Sequence, residues 1–177
     1  MKRIITLLIA LLTNSIITNA QFSYQDALKK VNDMVGLAAP DFEATTIEGK
    51  KVSSKGLKGK IIVVNFWFVG CVPCEEEMPL LNKLTETYKQ RDDIVFLSFA
   101  KTDEQLIKKF LVNTPFNYQT VAAAKSIAAK FNVSAYPTQF IIDKEGNVQF
   151  TSIGGMDDID KVLENKINKL LVMADGQ

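Results

Sequence analysis

Hydrophobic positions along this chain follow two periods, and the alternation between them lays out the fold. Ile61-Ile62-Val63-Val64-Asn65-Phe66-Trp67-Phe68 is a nearly unbroken β-branched and aromatic run, the pattern of a strand buried on both faces. Gly70 breaks it. From Pro73 a helical period takes over, with Met78, Leu81, Leu84 and Tyr88 on one side. Ile94-Val95-Phe96-Leu97, inside 93–100, predicts a second buried strand. Thr102 and Gln105 have capping-box spacing ahead of Leu106, Ile107, Phe110 and Leu111, which predicts a helix. A short strand is expected over 118–121, and Ala124, Ile127, Ala128 and Phe131 mark a further helix.

Segments 138–143 and 148–152 flank Lys144-Glu145-Gly146-Asn147, which reads as a hairpin. The last helix should begin near Asp157. Its acids Asp157, Asp158 and Asp160 lie in the first turn and Lys166 and Lys169 toward the end, as the helix dipole favours. Ile159, Val162, Leu163, Ile167 and Leu170 form its apolar stripe. Upstream, 41–46 and 51–52 read as a small hairpin with Gly49 at the turn. Residues 21–35 form a weakly amphipathic lead-in, either a short helix or a loose tail. The order is β-β-β-α-β-α-β-α-β-β-α. Strands alternating with helices imply a parallel component, and the closing hairpin makes the sheet mixed. The fold class is α/β: a sandwich with a mixed central sheet, helices on both faces and an N-terminal β-hairpin.

The first twenty residues read as a targeting segment. Lys2 and Arg3 form a basic start, Ile4 to Leu12 an apolar stretch, and Thr18-Asn19-Ala20 a small-residue cleavage site before Gln21. The competing reading is an uncleaved N-terminal anchor. The apolar stretch is short for a span and is interrupted by Thr13, Asn14 and Ser15. Position 21 is Gln, so a lipoprotein anchor has no cysteine to attach to. The expected organisation is a signal peptide at 1–20, a lead-in at 21–36 and one domain at 37–173. The expected location is periplasmic or otherwise extracytoplasmic.

Composition then narrows the chemistry. A net charge of +1 gives no footprint for nucleic acid. Losing Lys2 and Arg3 leaves 19 of the 21 basic residues against 20 acidic ones, a net −1. There is no histidine, which removes His-based metal sites and Cys-His or Ser-His catalysis. There are two cysteines, Cys71 and Cys74. No further Cys or His is present to complete a zinc site, and no metal is expected.

Cys71-Val72-Pro73-Cys74 ends a buried strand and opens a helix. Two cysteines at that spacing can close into a disulfide with little rearrangement. The helix N-terminus stabilises a thiolate, the attacking species in disulfide exchange. The strand end should bring the first sulfur to the surface, with the second beneath it. A purely structural bridge over so short a loop gains little. A redox pair is the favoured reading.

The segment Phe66-Trp67-Phe68-Val69-Gly70-Cys71-Val72-Pro73-Cys74-Glu75-Glu76-Glu77-Met78-Pro79 resembles the active-site segment of the TlpA/ResA branch of the thioredoxin superfamily. Ala39-Pro40-Asp41-Phe42 resembles that branch's opening segment. Phe131-Asn132-Val133-Ser134-Ala135-Tyr136-Pro137-Thr138 followed by Asp143-Lys144-Glu145-Gly146 resembles its second signature. The match runs over about 37–173 and implies a thioredoxin-like three-layer sandwich. It implies that Cys71 is the nucleophile and Cys74 the resolving thiol, with a cis peptide bond before Pro137 facing the pair. Glu77 matches a glutamate that tunes the cysteines in this branch, whereas Glu75 and Glu76 read as a solvated first turn. Asn65 stands where cytosolic thioredoxins carry a buried aspartate and cannot titrate. Trp67 either shapes the surface beside the disulfide or fills the core. The residues expected to meet substrate are Trp67, Val72, Pro73, Tyr136 and Pro137.

The implied activity is thiol–disulfide exchange, reducing disulfides in extracytoplasmic proteins, with apocytochrome c in cytochrome c biogenesis as one substrate class. Recharging would come from a membrane electron donor of the DsbD/CcdA type, with no organic cofactor because the cysteines carry the electrons. The alternatives are a peroxiredoxin-like thiol peroxidase, or a thiol oxidant or isomerase. Residues 64–70 contain no Thr or Pro, which the context of a peroxidatic cysteine calls for. The oligomeric state is left open. N-terminal sequencing of envelope material should begin at or near Gln21; Met1 retained in a membrane fraction would establish the anchor instead.

Overall fold

A computed structural model describes residues 24–175, with the side chains of 174 and 175 excepted. The expected targeting segment at 1–20 lies outside these residues. The run that reads as a doubly buried strand becomes β3 (Ile61–Trp67), every residue of which is buried. Ahead of it come helix α1 (24–32) and the hairpin of β1 (Glu43–Thr45) and β2 (Lys51–Ser53). After it come α2 (Val72–Thr87), β4 (Ile94–Ala100), α3 (Glu104–Leu111), β5 (Gln119–Val121), α4 (Lys125–Lys130), β6 (Thr138–Ile142), β7 (Val148–Ile153) and α5 (Ile159–Asp175).

The main sheet has the order β5-β4-β3-β6-β7. The β3–β4 and β4–β5 pairs are parallel, and the β3–β6 and β6–β7 pairs antiparallel. The mixed sheet is as expected. The parallel pairs need crossovers, which α2 and α3 supply. The hairpin between β6 and β7 turns at Gly146 with φ +92°. That region costs a side chain energy and glycine little.

Alternation along β3 separates two cores. Ile62, Val64 and Phe66 face one core with Phe42, Phe99, Phe131 and Phe140. There Phe66 lies 5.3 Å from Phe99, 5.4 Å from Phe131 and 5.7 Å from Phe140 between ring centres. Ile61, Val63 and Trp67 face the other, with Met78, Leu81 and Leu84 of α2, Ile107 of α3, and Ile159, Leu163 and Ile167 of α5. Helices therefore cover both faces.

Of the two forms expected for the lead-in, the described part takes the short helix and packs on the sheet: Ala27, Val31 and Met34 are buried in the first core, and Asn32 accepts a hydrogen bond from Thr151 Oγ1 at 2.6 Å. Thr102 and Gln105 form no capping box. Asp103 caps α3 without a side-chain bond, because the Thr102 hydroxyl accepts from the Val69 N–H at 2.9 Å instead. Leu106 belongs to the exposed side of α3, and Ile107 alone in that helix is buried.

Truncating Phe66 opens a cavity among three other rings. Phe66→Ala should lower stability by about 3–5 kcal/mol in urea titration. Val172→Ala, on the exposed side of α5, should change it by no more than about 0.5 kcal/mol.

Candidate active site

β3 ends at Trp67, and the chain reaches Cys71 through a loop tied down at several points. The Val69 N–H is held by Thr102, the Cys71 N–H donates to the Phe68 carbonyl at 3.2 Å and the Lys101 N–H to the Trp67 carbonyl at 2.9 Å. Gly70 takes φ +91°, and its N–H donates to the Glu75 carboxylate at 2.8 Å. Glu75 is thus a loop fastener rather than a freely solvated acid. Cys71 occupies the N-cap of α2, and Pro73 sits in its first turn, where a missing N–H is harmless. The helix continues through Pro79.

Cys71 and Cys74 are joined in a disulfide, with Cα atoms 5.3 Å apart. Cys71 is 5% exposed and Cys74 2%. The order is the expected one, but Cys71 is not projected to the surface. Both cysteines belong to the α2-side core, against which Phe68, Val69, Tyr136 and Met156 also pack. The exposed part of the motif is its middle, Val72 and Pro73.

The Tyr136–Pro137 bond is cis. Pro137 is buried and Tyr136 half-buried. The Tyr136 ring meets Phe68 edge-on at 5.3 Å, and the Lys101 ammonium lies 5.8 Å from the Phe68 ring centre and 6.0 Å from that of Tyr136. A cation and two aromatic faces therefore stand beside the proline loop. Trp67 is corrected as a substrate contact: it is fully buried, its indole N–H donates to Ser98 Oγ at 3.2 Å, and it packs on Phe110 and Phe116. Alternation along β3 turns it into the core.

Glu77 is 2% exposed, on the α2 face toward the sheet. One carboxylate oxygen accepts from Gln139 Nε2 and the other from the Met156 N–H, both at 2.9 Å. Burial pushes the carboxyl up to about 7, against the downward pull of these two hydrogen bonds. Tyr118, buried nearby, is raised far above its ordinary value by desolvation and then by the Glu77 charge. Asn65 is buried and pairs in register with Ser98 and Gln139.

A third wall escaped the sequence reading. After β7, Gly154 donates its N–H to the Pro137 carbonyl at 2.9 Å, and Met156 donates to Glu77. Gly155 lies against Pro73 so closely that a Cβ there would sit 3.0 Å from the proline Cβ. The Gly154-Gly155 pair directly after a strand, and Gln139 ahead of the apolar Phe140-Ile141-Ile142, were the available signals. Among the described residues no cluster of three or more His, Cys, Asp or Glu suits a metal ion.

Fold and site together are those of a thioredoxin-like oxidoreductase with a Cys-x-x-Cys redox pair. The family model of the AhpC/TSA family matches residues 35–151, and the chain belongs to that family. It is 34% identical over 142 residues to the thioredoxin-like protein YneN of Bacillus subtilis (strain 168), covering 79% of this chain and 82% of that protein. It is 38% identical over 122 residues to the thiol-disulfide oxidoreductase ResA of Bacillus thuringiensis (strain Al Hakam), covering 68% and 70%. A solved structure of a thioredoxin-family thiol:disulfide interchange protein from Chlorobium tepidum TLS superposes with a TM-score of 0.66 at 28% identity, covering 76% of this chain and 95% of that one.

Because the Glu77 carboxyl moves from 4.5 to about 7 on folding, the folded chain holds its proton more tightly than the unfolded chain. Its contribution to stability is full below pH 4.5 and lost as pH rises through 7. Relative to Glu77→Gln, the oxidised protein should therefore lose up to about 3 kcal/mol between pH 4.5 and 8. Urea midpoints of both proteins across that range check it.

Proposed function

We propose that this protein reduces disulfides in extracytoplasmic protein substrates, with Cys71 as nucleophile, Cys74 as resolving thiol and Glu77 as proton acceptor. The observation that carries the reading is a Cys71–Cys74 bridge at a helix N-terminus, at the sheet end where the cis-proline loop enters β6 and on the same helix as a buried carboxyl pushed up to about 7. In the reduced protein the Cys71 thiolate attacks a substrate disulfide. One S–S bond forms between Cys71 and the substrate, and the first substrate sulfur leaves as a thiolate. Cys74 gives up its proton and attacks Cys71 Sγ. The mixed disulfide breaks, the second substrate sulfur leaves, and the Cys71–Cys74 bond closes. Two electrons pass to the substrate.

Glu77 supports the second step. It lies one helical turn past Cys74, and a carboxyl balanced near neutrality can take the Cys74 proton and return it. Exposed Val72 and Pro73, with half-buried Tyr136, offer a small apolar face to a peptide, and Pro137 shapes the loop behind it. The dithiol is the whole redox group, and no separate cofactor is needed. A reducing role fits the absence of a histidine between the cysteines. By resemblance, apocytochrome c is a candidate substrate and a membrane donor of the DsbD/CcdA type the source of electrons. No described helix is long and apolar enough to cross a membrane.

The AhpC/TSA match also leaves room for a thiol peroxidase. Insulin reduction without peroxide consumption is the expected outcome; the reverse would overturn the reductase reading. Cys74→Ser should accumulate mixed disulfides with envelope proteins, whereas Cys71→Ser should form none. Alkylation of the reduced protein at mildly acidic pH should label Cys71 well before Cys74, and the opposite order would exchange their roles.

A further inference from the structure

The five strands of the main sheet each contribute one polar residue to a single transverse row. Thr120 of β5 pairs with Ser98 of β4, Ser98 with Asn65 of β3, Asn65 with Gln139 of β6, and Gln139 with Ser152 of β7. Directly paired residues share a face, here the one that carries Ile61, Val63 and Trp67 toward α2. Thr120, Ser98 and Gln139 are fully buried and Asn65 nearly so. Buried polar groups are costly unless paired, so a row of them beneath the redox helix calls for an accounting.

At one end the row is closed. Trp67 Nε1 donates to Ser98 Oγ at 3.2 Å, Ser98 Oγ to Thr120 Oγ1 at 2.9 Å, and Thr120 Oγ1 to the Tyr118 carbonyl at 3.2 Å. At the other end it is open. Gln139 Nε2 donates to Glu77, but Gln139 Oε1 and Ser152 Oγ are both shielded from solvent and both without a partner. These two atoms belong to directly paired residues on neighbouring strands.

We propose that Gln139 Oε1 and Ser152 Oγ hold one internal water between them, and that this water fixes the Gln139 amide and makes Gln139 and Ser152 positioning residues for Glu77. The inference rests on the reading of Glu77 as the proton acceptor of the redox pair. Both atoms are polar and shielded from solvent, and together they offer two partners, the minimum an internal water needs. An amide carbonyl only accepts hydrogen bonds and its NH₂ only donates. With the carbonyl engaged by the water, the NH₂ must face Glu77. That arrangement suits an ionised carboxylate. A protonated Glu77 would need an acceptor, which Gln139 can offer only by flipping. The water and Ser152 oppose that flip and so keep Glu77 a base.

Other ionisable groups around Glu77 do not titrate in the same range. Burial raises Tyr118 far beyond it, Cys74 is bound in the disulfide of the oxidised protein, and Asp160 at the start of α5, which burial pushes up, is held below its ordinary value by Lys83 at 3.2 Å and by Lys161.

The test is made on the oxidised protein and needs no substrate. A crystal structure that resolves internal solvent should show one water within hydrogen-bond distance of Gln139 Oε1 and Ser152 Oγ. A direct Ser152–Gln139 bond, or an unfilled gap, overturns the proposal. Carboxyl-carbon NMR then follows the Glu77 titration. Ser152→Ala should raise its midpoint by roughly half to one pH unit, the size of one neutral hydrogen bond, and Ser152→Thr, which keeps the hydroxyl, should leave it in place. A midpoint unmoved by Ser152→Ala also overturns it, and the water in the unsubstituted protein can be read whatever that variant does. If the water and the shift are found but insulin is not reduced, the reductase reading falls and the water site stands.

Discussion

Burial of β3 on both faces is the constraint from which the rest of the structure follows. A strand with seven consecutive buried residues must be covered above and below, because none of its side chains can be left to water without losing its transfer free energy. Helices α2 and α5 supply one cover, and α1, α4 and the small hairpin the other. The central position of β3, between parallel β4 and antiparallel β6, brings two loops together at one end of the sheet. One carries Cys71, at the C-terminal end of β3. The other carries Pro137, at the N-terminal end of β6. An antiparallel neighbour is what makes a strand end and a strand start meet.

The same packing sets the electrostatics. Every sixteen-residue amphipathic helix has a buried stripe, and Glu77 falls in that of α2 together with Cys74, Met78, Leu81 and Leu84. Desolvation then moves the carboxyl toward neutrality. Two hydrogen-bond donors from separate segments, Gln139 of β6 and Met156 of the loop after β7, keep that shift from growing larger. Stability is coupled to pH at this residue, since the raised proton affinity is a difference between the folded and the unfolded chain. The loop 154–156 joins the proline loop, the first turn of α2 and Glu77 into one unit.

Much of this was legible in the chain itself. The run 61–68, the helical period from Pro73 and the closing hairpin gave element types that the structure keeps, because burial on two faces, on one stripe or on alternate positions each leaves its own periodicity. The Cys-x-x-Cys spacing at a strand-to-helix junction marked the redox pair for an equally local reason: its geometry is set by four consecutive residues. The misreadings were at places where a side chain chose between partners. Thr102 had the spacing of a helix cap and instead holds Val69. Trp67 could face out or in, and the register of β3 turned it inward beside Ser98. Residues 27–34 carried a weak pattern, yet Ala27, Val31 and Met34 are buried in the core beside the phenylalanine cluster, while Lys29, Lys30 and Asp33 stay exposed.

The sequence by itself determined the order of elements, the two-sided burial of the central strand and the identity of the thiol pair, since each depends on residues adjacent along the chain. Tertiary structure alone decided how deeply the disulfide sits, which carboxylate loses its water and what it bonds to. Glu75, Glu76 and Glu77 are chemically identical neighbours. One fastens Gly70, one stays exposed and one is buried against Gln139, sixty-two positions away. Desolvation and hydrogen bonding are properties of the space around a side chain, and that space is built by segments distant in sequence.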